Sequence, residues 1–137
     1  MQLTIFNGSP RGKVSNSEIL IQWLASGTEH MAEVNVQTIY LRNTAEHASY
    51  ITQLQRSDVA LLVFPLYTDS MPGIVMAFLE RLDPFRKSLS GLKLGFVVHS
   101  GFPEAIHSRA VERYLQWLAK DLDRKSTRLN SSHGIIS

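Results

Sequence analysis

The turn that decides the fold lies close to the amino terminus. Residues 2–17 are Gln-Leu-Thr-Ile-Phe-Asn-Gly-Ser-Pro-Arg-Gly-Lys-Val-Ser-Asn-Ser. Residues 2–6 are rich in β-branched and aromatic side chains, which favours a short strand, and residues 7–12 contain a dense turn signal. Apolar residues then follow at helical spacing, with Ser15 or Asn16 as the N-cap. The stretch therefore predicts a strand, a turn and a helix in immediate succession.

Strands and helices continue to alternate along the chain. Alternating or continuous apolar runs indicate strands, and apolar residues on one face indicate helices. The predicted strands lie at residues 34–39, 58–64 and 92–99, and the predicted helices at residues 17–27, 48–56, 72–83 and 104–122. This order favours an α/β domain in which helices cover both faces of a parallel sheet.

The composition is typical of one soluble domain with a core of its own. The chain has 137 residues, of which 44% are apolar, and a mean hydropathy of −0.06. No apolar run approaches the ~20 residues of a membrane span, and no secretory signal is recognisable. The chain has no cysteine, which excludes a disulfide scaffold, thiolate zinc, Cys-ligated iron–sulfur clusters and a cysteine nucleophile. We expect a cytoplasmic protein without a metal site.

The charge gives no indication of a nucleic-acid partner. The formal net charge is +2, from 14 basic and 12 acidic residues. Three of the basic residues and one acidic residue fall within residues 123–137, so residues 1–122 contain 11 of each and are neutral. A neutral domain does not predict a surface that follows a phosphate backbone.

Residues 123–137 differ from the rest of the chain. The run Asp-Arg-Lys-Ser-Thr-Arg-Leu-Asn-Ser-Ser-His, residues 123–133, resembles the in-frame translation of a common sequencing-library adapter. Leu129 is the only large apolar residue in that run, whereas a strand of this sheet needs an apolar inward face. We therefore predict a domain at residues 1–122, followed by a non-native tail that adds no strand.

The turn after the first strand is rich in hydrogen-bond donors. Ser9, Ser15 and Ser17 offer hydroxyls, Asn16 offers an amide, and Arg11 adds positive charge. The following helix points its free N–H groups and its dipole into the turn, an arrangement that suits a terminal phosphate. The alternative is a flexible Ser/Gly turn with an ordinary N-cap. The turn has neither the Gly-x-Gly-x-x-Gly pattern nor a Walker loop, which weakens the dinucleotide and ATP interpretations.

Two further loops follow strands at the same edge of the predicted sheet, where an open parallel sheet binds its ligand. Residues 65–73 offer Leu66 and Tyr67 as a packing surface for a planar ring, with backbone groups beside its polar edge. Residues 99–104 contain Gly101, which permits close approach of a ligand. The alternatives are a Pro-bounded connection with one exposed tyrosine, and a histidine that merely ends a strand.

Two motifs together point to a known family. They are Asn7-Gly8-Ser9-Pro10-Arg11 with Ser15-Asn16-Ser17, and Pro65-Leu66-Tyr67 with Pro72 beyond it. In this setting they resemble the flavodoxin-like NAD(P)H-dependent FMN reductases and related quinone reductases, over residues 1 to about 120. The resemblance implies a sheet of order 2-1-3-4-5, noncovalently bound FMN, NAD(P)H as co-substrate and often a homodimer.

The resemblance also assigns residues to the flavin. Those that would hold the FMN phosphate are Ser9, Arg11, Ser15, Asn16 and Ser17. Those that would line the isoalloxazine are Pro65, Leu66, Tyr67 and Thr68, with Ser100 and Gly101 on its other side. No side chain is expected to act as an acid, base or nucleophile, because the cofactor does the chemistry.

The sequence departs from the family in two respects. The iron–sulfur flavoprotein branch needs a cluster of cysteines, and the chain has none. The family has a fifth strand and a last helix, whereas only four strands are predicted before the tail. We therefore predict a flavodoxin-like sheet of order 2-1-3-4, with the fifth strand and last helix missing.

The leading hypothesis for function is a flavoenzyme that uses bound FMN and NAD(P)H to reduce a quinone, a flavin or a similar small acceptor. A flavodoxin-type electron carrier is the first alternative, but such carriers are usually strongly acidic, whereas residues 1–122 are neutral. A flavodoxin-like binding module without flavin is the second. Neither a nucleic acid nor a membrane is expected as a partner.

Overall fold

The computed structural model describes residues 1–29, 31, 33–66 and 70–99, and the backbone of residues 126–131 and 135–136. Within these residues one sheet has the strand order β2-β1-β3-β4-β5-β6. The strands are β1 (Gln2–Asn7), β2 (Asn35–Tyr40), β3 (Val59–Pro65), β4 (Lys93–His99), β5 (Ser126–Ser131) and β6 (Ile135–Ile136). The pairs from β2 to β5 are all parallel, and β6 pairs with β5 antiparallel.

Helices cover both faces of this sheet. They are α1 (Asn16–Thr28), α2 (His47–Gln55) and α3 (Gly73–Glu80), with short 3-10 helices at Gly12–Val14, Thr44–Glu46 and Asp83–Phe85. On one face, Ile21 of α1 packs against a buried cluster that includes Ile5 and Val97. On the other face, Leu54 of α2 and Phe78 of α3 belong to a larger buried cluster. The predicted fold class and the strand order 2-1-3-4 are therefore confirmed.

The predicted elements differ from the observed ones mainly at their ends. Ser15 is the N-cap of α1, because its side chain accepts a hydrogen bond from the N–H of Glu18. The helix passes through Gly27, the predicted stop, and ends at Thr28. A Cβ added to Gly27 would have no heavy atom of a described residue within 4 Å, so this glycine occupies an ordinary exposed helical position. The helix predicted at residues 104–122 lies outside the described residues.

The prediction that no strand follows β4 is wrong. Strand β5 pairs in parallel with β4, from Leu94 opposite Ser126 to His99 opposite Ser131. A ladder needs backbone N–H and C=O groups, which every residue of 126–131 has because none is proline. The outer edge of β4 otherwise presents unpaired backbone groups, which attract an additional strand regardless of its apolar content. The adapter-like origin of the tail stays a prediction.

Among the described residues, no helix has both the length and the apolar character that crossing a membrane requires.

Candidate functional site

The ends of three parallel strands bring the predicted loops to one edge of the sheet. β1 ends at Asn7, β3 at Pro65 and β4 at His99. Pro65 is the register partner of His99, and the N–H of Leu66 donates to the carbonyl of His99 at 2.8 Å. In open parallel sheets this carboxyl edge is the place where ligands bind.

Asn7 is the centre of the turn between β1 and α1. It is fully buried, and its Nδ2 donates to Glu18 Oε2 at 2.9 Å and to the carbonyl of Gly12 at 3.2 Å. Its Oδ1 accepts from the N–H of Ser9 at 2.9 Å. One buried amide therefore holds the start of the turn, its middle and the first turn of α1 together.

Glu18 and Tyr40 extend this buried network, and neither was predicted as part of the site. Tyr40 Oη donates to Glu18 Oε1 at 2.9 Å. Burial, together with the hydrogen bond to Glu18 and its charge, raises the pKa of Tyr40 to about 12. Ser15 and Glu18 have the Ser-x-x-Glu spacing of a capping box, a signal that would have drawn attention to Glu18. In the structure the Glu18 carboxylate turns to Asn7 and Tyr40.

The three serine hydroxyls of the turn have different partners. Ser15 Oγ accepts from the N–H of Glu18 at 3.2 Å and donates to the carbonyl of Gly12. Ser17 Oγ lies 2.6 Å from His99 Nε2. Ser9 Oγ accepts from the N–H of Arg11 at 3.2 Å. Since a hydroxyl has one hydrogen to donate, Ser9 retains a hydrogen that has no acceptor among the described residues.

His99 links two of the predicted loops. It ends β4, and its ring contacts Ser17 in the first turn of α1. Burial lowers the pKa of His99 to about 4. The ring is therefore neutral at neutral pH, with one nitrogen as a donor and the other as an acceptor. The sequence interpretation of His99 as a residue that merely ends a strand missed this contact.

The donors available to a phosphate lie where the turn meets α1. Arg11 and Asn16 are exposed, and the N–H groups of Asn16 and Ser17 open the helix, where no helical acceptor exists for them. Ser9 adds its buried hydroxyl hydrogen. A guanidinium, an amide, a hydroxyl and the start of a helix are the donor types that a terminal phosphate needs. The chemistry of this donor set fits the phosphate of FMN.

The two glycines of the turn have packing roles. A Cβ on Gly8 would lie 2.5 Å from Val75 Cγ2 and 2.9 Å from Phe64 Cβ. Gly12 has a φ of +57°, and a Cβ there would lie 2.6 Å from Arg42 Cδ. Gly8 therefore lets the turn pass close to β3 and α3, and Gly12 adopts the left-handed conformation that closes the turn.

The residues predicted to line the isoalloxazine are only partly described. Pro65 is half-buried, and Leu66 is buried within the larger core cluster. Tyr67, Thr68, Ser100 and Gly101 lie outside the described residues. Leu66 therefore contributes a buried side chain to the core and a backbone group to the edge, next to His99.

A parallel sheet of order 2-1-3-4 with helices on both faces defines a flavodoxin-like α/β fold. The family model of the NADPH-dependent FMN reductases matches residues 1–124. The chain belongs to this family of flavin oxidoreductases. The family assignment confirms the predicted cofactors, FMN and NAD(P)H.

Solved structures with this fold include reductases and a flavodoxin. An NADH:FMN oxidoreductase shares 16% identity with a TM-score of 0.78, over 96% of this chain and 75% of the other. An NADPH-quinone reductase from P. pentosaceus shares 20% identity with a TM-score of 0.74, over 96% of this chain and 85% of the other. A flavodoxin from Streptococcus pneumonia shares 15% identity with a TM-score of 0.71, over 100% of this chain and 87% of the other. No curated protein matches the sequence significantly.

Proposed function

We propose that the protein is an NAD(P)H-dependent oxidoreductase that uses bound FMN to reduce a quinone, a flavin or a similar small acceptor. Bound FMN would supply the redox chemistry, taking electrons from the reduced nicotinamide and passing them to the acceptor. The observation that carries the proposal is the buried hydroxyl of Ser9, whose hydrogen meets no acceptor in the part of the chain that the structure describes, close to the exposed Arg11. The expected cytoplasmic location and homodimer stay predictions.

Some residues of the turn would contact the phosphate directly, and others would hold the turn in place. Arg11 and Asn16 would bind the phosphate through their side chains, Ser9 through its hydroxyl hydrogen, and Ser17 through its backbone N–H. Ser15 would act indirectly, since its hydroxyl caps α1 and donates to Gly12. The side chain of Ser17 would likewise act through His99, which fixes its position.

Binding of FMN is the first test of the proposal. Titration of the 137-residue chain into FMN should quench the flavin fluorescence at micromolar concentration. Arg11→Gln should weaken FMN binding roughly tenfold or more, because a hydrogen bond to a charged group contributes ~1.5–3 kcal/mol. Arg56→Gln is the matched control, since Arg56 is exposed and precedes β3 at the opposite edge of the sheet. Absence of quenching would contradict the proposal.

Turnover separates the enzyme from the electron carrier. The FMN-loaded chain should oxidise NADPH or NADH when a quinone is present, as followed by the loss of nicotinamide absorbance. A flavodoxin-type carrier would bind FMN and show no such oxidation. A module without flavin would give neither signal.

A further inference from the structure

The outer face of α1 exposes two large apolar side chains. Trp23 is 65% exposed and Ile19 is 49% exposed. They are four positions apart, which makes them neighbours on the surface of the helix. Each is two positions from Ile21, the buried residue by which α1 packs on the sheet, so both lie on the side of the helix away from the core. A surface helix normally presents polar and charged side chains on that side.

The same face has no charge. Glu18 is the only charged residue of α1, and it is buried. Its two carboxylate oxygens accept hydrogen bonds from Asn7 and Tyr40. The other exposed side chains of the helix are polar but uncharged, namely those of Asn16, Gln22 and Ser26. Aromatic residues are enriched and charges depleted at the centre of protein interfaces, so this face has the composition of an interface.

The face is complementary in shape to a second copy of itself. In an antiparallel pair with its two-fold axis beside Trp23, Ile19 of one helix lies near Gly27 of the other. Gly27 is exposed, and a Cβ added there would have no heavy atom of a described residue within 4 Å. Its neighbour Ser26 is also small and exposed. A large side chain therefore meets a small surface at both ends of the pair, which is the reciprocal pattern of an isologous interface.

The charges at the two ends of α1 are complementary in the same arrangement. Lys13 precedes the helix and Glu29 follows it, and both are exposed. Neither forms a salt bridge among the residues that the structure describes. The last turn of α1 contains no basic residue to balance the negative end of the helix dipole. An antiparallel second copy brings its own Lys13 to that end.

We propose that the outer face of α1 binds a second copy of this chain, with the two α1 helices antiparallel across a two-fold axis beside Trp23. A helix of 13 residues is about 20 Å long, so the contact is smaller than the ~800 Å² per partner of a standard interface. The dimer therefore dissociates in the micromolar range, and Trp23 contributes most to its affinity. The proposal does not depend on the proposed function, because it uses no residue that is assigned to the flavin.

Sedimentation equilibrium of the 137-residue chain across the micromolar range tests the dimer. The mass should rise with concentration from 15.4 kDa towards twice that value. Trp23→Lys should weaken the association roughly tenfold or more, because it places two like charges beside the axis. Phe85→Lys is the matched control, since Phe85 is also an exposed large apolar residue but lies outside α1. A monomer at every concentration, or an equal loss in Phe85→Lys, would overturn the proposal.

A charge swap tests the antiparallel arrangement. Lys13→Glu and Glu29→Lys, each alone, bring like charges together at both ends of the dimer. Each should weaken the association severalfold at low salt, where surface charges are least screened. The double variant restores opposite charges and should recover most of the affinity. Single variants without effect, or a double variant weaker than either single one, would overturn the arrangement.

Gly27→Leu separates the surface from the stability of the helix. Leucine favours a helix more than glycine does, so the variant should resist urea at least as well as the unsubstituted chain. The added side chain occupies the place of Ile19 from the second copy, and the association should weaken. Unchanged association in this variant would contradict the proposed packing. A monomeric chain that sediments with phosphatidylglycerol vesicles, in a manner dependent on Trp23, would assign the face to a membrane and overturn the dimer.

Discussion

The turn between β1 and α1 has two sides that use their polar groups in opposite ways. On the inner side, Asn7, Ser15 and Glu18 are buried, and their side chains bond to one another and to the backbone. On the outer side, Arg11 and Lys13 are exposed and form no salt bridge among the described residues. The inner groups fix the shape of the turn, and the outer groups are available to ligands.

This contrast follows from the cost of burying polar atoms. A buried donor or acceptor without a partner costs ~1–3 kcal/mol, and more if it is charged, so the inner side must be fully paired. An exposed cation is solvated by water and needs no partner to be stable. Substitutions on the inner side should therefore change stability, and substitutions on the outer side should change binding only.

The largest effect is expected for Asn7→Ala. The change removes the donor to the buried Glu18 carboxylate and the acceptor for the N–H of Ser9. We expect a loss of about 3–5 kcal/mol in the free energy of unfolding, because the buried Glu18 carboxylate loses one of its two donors and the N–H of Ser9 loses its acceptor. Urea denaturation followed by circular dichroism measures it.

Thr4→Val is the control for Asn7→Ala. Thr4 is equally buried, and its Oγ1 lies 2.6 Å from Ser57 Oγ, which also donates to the carbonyl of Gln53. Removal of the Thr4 hydroxyl therefore leaves Ser57 with a hydrogen-bond partner, and it should lower the free energy of unfolding by only about 1 kcal/mol. An Asn7→Ala variant no less stable than Thr4→Val would contradict the structural role of the inner side.

His99 makes stability depend on pH. In the folded state, burial lowers the pKa of His99 to about 4, whereas in the unfolded state the pKa of His99 keeps its ordinary value of 6.5. The unfolded chain therefore binds a proton first as the pH falls, and stability is lost between about pH 6.5 and pH 4. The loss from this group should be of order 2–3 kcal/mol. His99→Gln should show a correspondingly flatter dependence, and identical pH profiles of the two proteins would refute it.

A smaller effect is expected for Ser15→Ala. The N-cap of α1 loses the acceptor for the N–H of Glu18, which typically costs ~1–2 kcal/mol. Ser15→Asn keeps an N-cap acceptor and should recover most of the loss in urea denaturation. Equal losses in both variants would indicate that the donation from Ser15 to Gly12, and not the cap, is the important contact.

The fold could be predicted because its signals are local and agree with one another. The apolar runs of β3 and β4, the N-cap at Ser15 and the apolar face of α3 each indicate one kind of element. β5 could not be predicted from the same signals, since residues 126–131 lack an apolar face. That strand is formed by its backbone hydrogen bonds with β4, and backbone groups are the same in every sequence.

The candidate site was only partly predictable, for a related reason. Residue types indicated that the turn contains donors, but the direction of each hydroxyl depends on neighbours distant in sequence. Ser17 meets His99, which lies 82 positions further along the chain. Tyr40 and Arg42 reach the turn only because β2 pairs with β1 in the parallel register that places Asn7 opposite Tyr40.

The smallest change in stability is expected for the outer side of the turn. Lys13→Gln removes an exposed charge that lies over the ring of Tyr40, and Arg42→Gln removes an exposed guanidinium that donates to the carbonyl of Arg11. Each should change the free energy of unfolding by less than about 0.5 kcal/mol, as exposed substitutions usually do. Urea denaturation of these variants beside Asn7→Ala tests the contrast directly. A loss above 1 kcal/mol in Arg42→Gln would mean that its packing over Gly12 supports the turn, and the two sides would then share one structural role.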